Sequence, residues 1–330
     1  MTAEKDELTL TAYDQEVGLR YRIQQVEVQE PGEALVNCAR LVAIIRESTD
    51  ETMSFESSDN LLHVRGRDSH FQIVGQNSRE FPPVPDMEGE SNLSVKVGVL
   101  RNLVEKTLFA AARESTRYAI NGVLWQKKDK RLKLVATDGR RLAMSDASLE
   151  KSVGDDVQAI VPTKALGLLS RLHFSGDEVL EARITSNQII MRTDRAVISS
   201  VLVEGNFPRW EDVVPSDNDK ALTLQTSEFL SAVKRAALLS SVESKGISMR
   251  LSGDMMELSS RSAERGEAKV GVGVEYNGGD LVIGFNPEFL IDALKVCEET
   301  TKLELKDPAK PGLITSGKDF QYVVMPVNLS

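Results

Sequence analysis

The feature that most constrains this chain is an internal period of about 125 residues, because a recurring unit dictates the fold of the whole through the fold of one part. Leu8, Leu10, Ala12 and Asp14 alternate as a strand does; Leu132, Leu134, Ala136 and Asp138 repeat them 124 positions later, and Met256, Leu258 and Ser260 repeat them after another 124. Phe81-Pro82 recurs as Phe207-Pro208, each followed by a Val and a Pro, as Val84-Pro85 and Val214-Pro215. The 330 residues therefore read as three copies of one unit.

Helices obey the same spacing. Segments 36–47, 161–173 and 286–298 each place apolar residues at three- and four-residue steps, as an amphipathic helix requires. Pro162 and Pro287 stand near the first turn, where a missing N–H is harmless, and Asn286 is a natural cap. A second helix type spans 97–114 and 225–241, and it has only two copies. Three complete units need about 375 residues, so the first repeat is expected to lack its initial strand-helix-strand. Between helices the chain alternates as strands: 61–74 around a turn at Gly66, 179–203 with turns at Ser186-Asn187 and Thr193-Asp194, and 247–259 with a turn at Ser252-Gly253-Asp254. Hairpins outnumber crossovers, which points to an α+β unit repeated three times, each with antiparallel sheets covered by two helices.

Catalytic chemistry is not expected. There is no phosphate loop or nucleophile elbow, and Gly271 and Gly273 lie inside an alternating strand run rather than opening a helix. Asp138-Gly139 reads as a strand-closing turn, Asp155 and Asp156 as a solvated loop, and His173 as a partner for a helix C-terminus. Cys38 and Cys297 both fall in short amphipathic helices and read as core thiols; two cysteines build no disulfide framework, consistent with a reduced cytoplasm. His63, His70 and His173 are too scattered for metal-ligand spacing, so no metal and no cofactor are expected. No apolar run is long enough for a membrane span.

Charge is unevenly placed. The whole chain carries −10, which argues against a protein held on nucleic acid by phosphate contacts alone. The five helices together carry +3, leaving −13 for the rest. If the helices share one surface, that surface is weakly basic on an acidic body.

Four strings then carry a resemblance: VATDGRRLA from Val135, EGNFPRW from Glu204, RYAING from Arg117 and YVVMPV from Tyr322. Taken in chain order, from Arg117, Val135, Glu204 and Tyr322, on a triplicated chain, they resemble the bacterial β sliding clamps, the beta subunits of DNA polymerase III. The resemblance implies three clamp domains at 1–88, 89–216 and 217–330, closing head to tail as a homodimeric ring, helices lining the hole and sheets outside. It implies a non-catalytic, cytoplasmic processivity factor of DNA replication, part of the nucleotidyltransferase complex, threaded by double-stranded DNA without reading its sequence. Topological retention would answer the charge objection, since a ring needs few phosphate ion pairs.

The resemblance also implies site residues. Arg101, Lys106, Arg113, Tyr118, Lys164, Arg171, Lys234 and Arg235 are candidates to face DNA. A pocket for short linear peptides of the DNA polymerase III alpha subunit, clamp-loader subunits and other clamp-binding-motif proteins would be walled by Arg117, Ile120, Thr137, Gly139, Arg140, Arg141, Leu142, Pro208 and Val213. Val323, Met325, Pro326 and Val327 would complete it from the C-terminus. Phe71 and Ile73 on an edge strand would meet Leu238 and Leu239 of the second chain. The sequence departs from the pattern at Ala119, where an aromatic is common, at Arg140 for a frequent histidine, at Asp212 for a basic residue and in the ending Asn328-Leu329-Ser330. The alternative is a monomeric peptide-binding clamp paralogue that does not close around DNA.

Overall fold

A computed structural model describes residues 1–113, 119–240, 246–276 and 278–329. By contacts the chain divides into two compact units: Met1–Asn92 with Glu178–Val201, and Leu93–Asp177 with Leu202–Ser330.

In the first unit, one antiparallel sheet runs in the order Val179–Ile184, Gln188–Arg192, Ala196–Val201, Val17–Ile23, Glu7–Tyr13, Thr2–Glu4 and Gly32–Glu33. Segments far apart in sequence meet in its middle, with Val197 opposite Arg20 and Ile198 opposite Leu19. A smaller sheet of Ser54–Ser58, Leu61–Arg65 and His70–Val74 is covered by α1, Cys38–Glu47. Asn37 caps α1, its side-chain oxygen accepting from the Arg40 N–H at 3.2 Å. Leu41 and Ile44 of α1 pack with Leu62, Val64 and Ile73 of the sheet.

The second unit holds an eight-stranded antiparallel sheet. Its order is Val157–Pro162, Gly122–Lys128, Arg131–Thr137, Arg141–Ser148, Phe320–Val324, Gly312–Ser316, Thr300–Leu305 and Lys220–Gln225. A four-stranded sheet, Gly266–Gly273, Met255–Ser262, Ile247–Ser252 and Leu281–Phe285, completes it. Four helices pack on these sheets: α2 (Val97–Thr107) beside α3 (Thr163–Arg171), and α4 (Thr226–Ala237) beside α5 (Pro287–Leu294). Each buries one stripe: Val97, Leu100, Leu103 and Val104 of α2; Ala165, Leu166 and Leu169 of α3; Phe229, Ala232, Val233 and Ala236 of α4; Leu290, Ala293 and Leu294 of α5. The three- and four-residue spacing read in the sequence is the spacing of these stripes.

Helix ends differ from the periodic segments. Pro162 is the last residue of its strand, with φ −58° and ψ 140°, so α3 starts only at Thr163. After Thr107 the α2 ladder tightens into a 3₁₀ turn, Leu108–Ala110, instead of running on to residue 114. Asn286 caps α5 through the Glu288 N–H at 2.9 Å, with Pro287 in its first turn. Gly98 at the head of α2 donates to the Gly176 carbonyl at 2.9 Å, and a Cβ there would lie 3.0 Å from that oxygen, a reason for glycine at 98.

The cysteines are not both core thiols. Cys38 is exposed, at the first residue of α1. Cys297 is half-buried; its thiol bonds the Ala293 carbonyl at 3.3 Å, and burial raises its pKa. Among the described residues no group of three or more His, Cys, Asp or Glu side chains could hold a metal, and no helix is long and apolar enough to cross a membrane.

Candidate functional site

The two faces of the strands Arg141–Ser148 and Phe320–Val324 define the candidate site. In their antiparallel register Leu142 lies opposite Val323, while Arg141 lies opposite Val324 and Ala143 opposite Tyr322. Opposed residues share a face and neighbours along a strand do not. Leu142, Met144 and Val323 therefore lie on one face and Arg141, Ala143, Ser145 and Tyr322 on the other.

The first face is apolar. Leu142, Met144 and Val323 join Leu124, Val135, Ile160, Leu313 and Ala119 in one cluster, against which Val203, Phe207, Trp210 and Val214 pack. Two large apolar side chains of the expected pocket, Val213 and Met325, are 48% and 41% exposed. Met325 is fixed through its backbone, donating to the Arg140 carbonyl at 2.9 Å, and Val327 donates to the Gly284 carbonyl at 2.9 Å. The chain after Val324 is thus pinned at both ends of Met325-Pro326-Val327, leaving the Met325 side chain presented. Pro208, Pro326 and Val327 are half-buried, and Ile120 is buried.

The turn that leads into this face is built by Asp138. Its Oδ1 accepts from the Arg140 N–H at 2.9 Å and the Arg141 N–H at 3.1 Å, and Gly139 takes φ +85°, a conformation open to glycine. Thr137 is buried; its hydroxyl donates to the Arg141 carbonyl at 2.7 Å and accepts from the Gly139 N–H at 3.1 Å, so it braces the turn. Arg140 projects into solvent. Asp212, at the far side of the Trp210 segment, is paired with Arg209 at 3.1 Å.

Arg141 is held by groups of its own chain. Its Nε donates to Asp138 at 3.1 Å, Nη1 to Asp292 of α5 at 2.9 Å and Nη2 to the Phe109 carbonyl at 2.8 Å. The guanidinium also lies 4.4 Å from the Phe289 ring centroid. Burial acts to lower its pKa, but the Asp292 bond and neighbouring groups outweigh this and the net shift is upward. The adjacent Tyr322 hydroxyl donates to the Phe289 carbonyl at 2.9 Å, and burial pushes its pKa well above the ordinary tyrosine value. Arg140 and Arg141 are adjacent in sequence, yet the first is exposed in the turn and the second is held at the start of its strand.

Two of the expected DNA-facing residues are engaged in contacts within the chain. Lys106 is buried, bonded to Asp319 at 3.2 Å and within 3.8 Å of Glu298, with Ser145 donating to the same Asp319. Arg101 donates to the Leu172 and Phe174 carbonyls and stacks over Phe174, tying α2 to the chain leaving α3. Arg113, Lys164, Arg171, Lys234 and Arg235 are exposed. Arg117 and Tyr118 lie outside the described residues.

At the expected chain-chain joint, Ile73 is 2% exposed and belongs to the core beneath α1, so it is not open to a second chain; Phe71, two residues earlier, is 40% exposed. Leu238 is 74% exposed and Leu239 half-buried near Gly266. His70–Val74 and Gly266–Gly273 each end their sheets, with an unpaired outer edge among the described residues.

The sequence reading did not single out the floor of the apolar face, Leu124, Val135, Met144, Ile160 and Leu313, nor Trp210 with Lys133 5.1 Å from its ring centroid. The signal was present in the alternation of Leu142 and Met144 and of Leu313 and Val323 on paired strands.

A scaffold of repeated two-helix layers on antiparallel sheets, with apolar side chains presented at Val213 and Met325, has the layout of a binding protein. Comparison with known proteins makes it specific. Descriptions of the DNA polymerase III beta subunit match in chain order: the N-terminal domain at residues 1–85, the central domain at 94–209 and the C-terminal domain at 211–328. The beta sliding clamp of Pseudomonas aeruginosa is 33% identical over 333 residues, covering 100% of this chain and 91% of the relative. That of Escherichia coli K12 is 30% identical, covering 98% and 89%. A crystal structure of the Pseudomonas aeruginosa sliding clamp bound to griselimycin superposes with TM-score 0.91 at 33% identity, over 99% of this chain and 90% of that one. The chain belongs to the DNA polymerase III beta subunit family, the bacterial beta sliding clamps, which are non-catalytic processivity factors of DNA replication.

Proposed function

We propose that this chain acts as a DNA sliding clamp by forming a two-chain, head-to-tail ring of clamp domains bounded at 1–88, 89–216 and 217–330, with duplex DNA in the hole. The observation that carries this reading is the repeated pair of helix layers, α2 with α3 and α4 with α5, whose exposed cations are Lys164, Arg171, Lys234 and Arg235 on a chain of net charge −10. A few inward cations suffice where retention is topological, and the absence of base readout permits sliding. The ring would close by pairing the free edge His70–Val74 of one chain with Gly266–Gly273 of the other, Phe71 meeting Leu238 and Leu239 across the joint; such pairing also removes two exposed edges.

The apolar face around Leu142 and Val323, opened by Val213 and Met325, would take the hydrophobic anchors of a linear peptide from a replicative polymerase, clamp loader or repair factor. Pro208 and Pro326 border it, and Arg140 stands at its rim. Retention on nicked circular DNA after loading tests the ring: the complex persists on the intact circle and is lost when the circle is cut. Equal survival on cut and uncut circles contradicts it.

A further inference from the structure

Two of the chain's three histidines, His63 and His70, meet on the three-stranded sheet of the first unit. The seven residues between them look too many for metal ligation in sequence, but a hairpin closes the gap. Leu61–Arg65 and His70–Val74 pair antiparallel, with His63 opposite Gln72 and Arg65 opposite His70. The two histidines are therefore diagonal neighbours on one face, a placement from which long side chains reach each other. Nδ1 of His63 lies 3.1 Å from Nε2 of His70, with the rings inclined by 21° and their centroids 5.3 Å apart.

The face that carries them is open. Alternation sends Leu62, Val64 and Ile73 beneath α1, and His63, Arg65, His70 and Gln72 to the other side of the sheet. His63 is half-buried there and His70 exposed. Glu56, directly opposite His63 on Ser54–Ser58, accepts a hydrogen bond from Arg65. That bond first, then the arginine charge, with smaller help from the two imidazoles, holds the Glu56 carboxyl below the usual carboxylate range. The acid of this face is thus committed to the arginine, and the imidazoles face each other.

We propose that His63 and His70 chelate a late first-row divalent cation of the zinc, nickel or copper class. Imidazole nitrogens bind such ions at about 2.0–2.1 Å, so two nitrogens 3.1 Å apart subtend about 98° at a shared ion, between the square and the tetrahedral angle. In the neutral pair one inner nitrogen donates its proton to the other. To bind the ion, that ring carries its proton on its outer nitrogen instead, and a small turn of each ring aims both inner lone pairs at the metal. Water fills the remaining positions, so the site is an exchangeable one and not a closed structural centre. Magnesium, which demands oxygen ligands, is excluded by the donor set. The bound ion ties Leu61–Arg65 to His70–Val74 and so braces the hairpin.

Calorimetric titration of the untagged full chain with zinc, nickel and magnesium chlorides tests this. The expected result is one saturable site per chain for zinc and for nickel, and none for magnesium. His63→Gln and His70→Gln, made separately, each weaken zinc by more than about tenfold, because a single imidazole loses the gain of a second, tethered ligand. His173→Gln, which changes the third histidine of the chain, leaves zinc binding unaltered. Copper(II) in the same site shows two nitrogen ligands in its electron paramagnetic resonance spectrum, and one in either variant. Thermal unfolding reports whether each variant is folded; exposed His70 carries the test should His63→Gln not fold. Absence of saturable zinc binding, equal loss in His173→Gln, equal binding of magnesium, or zinc affinity that survives both substitutions overturns the proposal.

Discussion

The two faces of the strands Arg141–Ser148 and Phe320–Val324 are built from alternate residues of the same segments, yet they have opposite character. On the helix-covered face Arg141, Tyr322, Lys106 and Asp319 form polar contacts within the chain: Arg141 alone makes three hydrogen bonds and two ring contacts. On the other face Leu142, Met144 and Val323 make an apolar floor on which Val203, Phe207, Trp210 and Val214 pack, while Val213 and Met325 are substantially exposed. The lesson is that a strand can separate scaffold from binding surface residue by residue. Paired polar groups hold the helices in place on one side, and on the other a buried apolar floor lies in a segment that leaves Val213 and Met325 exposed.

The comparison is open to attack on both faces. The largest effect is expected from Arg141→Met, which leaves Asp138 and Asp292 without their buried cation and lowers stability by about 3–5 kcal/mol in denaturant unfolding. A change under 1 kcal/mol there would show that the network is dispensable. Leu142→Ala should cost about 2–3 kcal/mol in the same measurement and also weaken a clamp-binding peptide. Met325→Ala sharpens the contrast: peptide affinity by fluorescence anisotropy falls about tenfold, or ~1.4 kcal/mol, while the thermal midpoint stays put because the side chain is exposed. An unchanged affinity removes Met325 from the pocket. The smallest effect belongs to Arg171→Ala, which should reduce the slope of log K for duplex DNA against log salt by no more than about 0.9, while Lys106→Met leaves that slope unaltered. A loss of slope in Lys106→Met would place that lysine on DNA after all.

Much of this arrangement was legible before any coordinates. Apolar spacing locates all five helices, because a helix that covers a sheet must present one continuous stripe, as Leu100, Leu103 and Val104 do. Hairpins at Gly66, Ser186-Asn187 and Gly253 follow from turn chemistry, with Gly253 at φ +55°. What the string hid depends on partners distant in sequence. Lys106 looks like a surface cation of α2 until Asp319 is brought beside it by the Phe320–Val324 strand. Ile73 looks like an edge residue until α1 is laid over it. The middle of the first unit's sheet exists only because Ala196–Ser200 pairs with Val17–Tyr21, a register that no local pattern announces.

Site-specific photo-crosslinking puts the central division directly to the test. A crosslinker placed at Arg171 on α3 and, separately, at Val213 beside the apolar face is activated in clamp loaded on nicked circular DNA with a clamp-binding peptide present. The account predicts adducts to DNA from position 171 and to peptide from position 213. Peptide captured at 171 and DNA at 213 would contradict it.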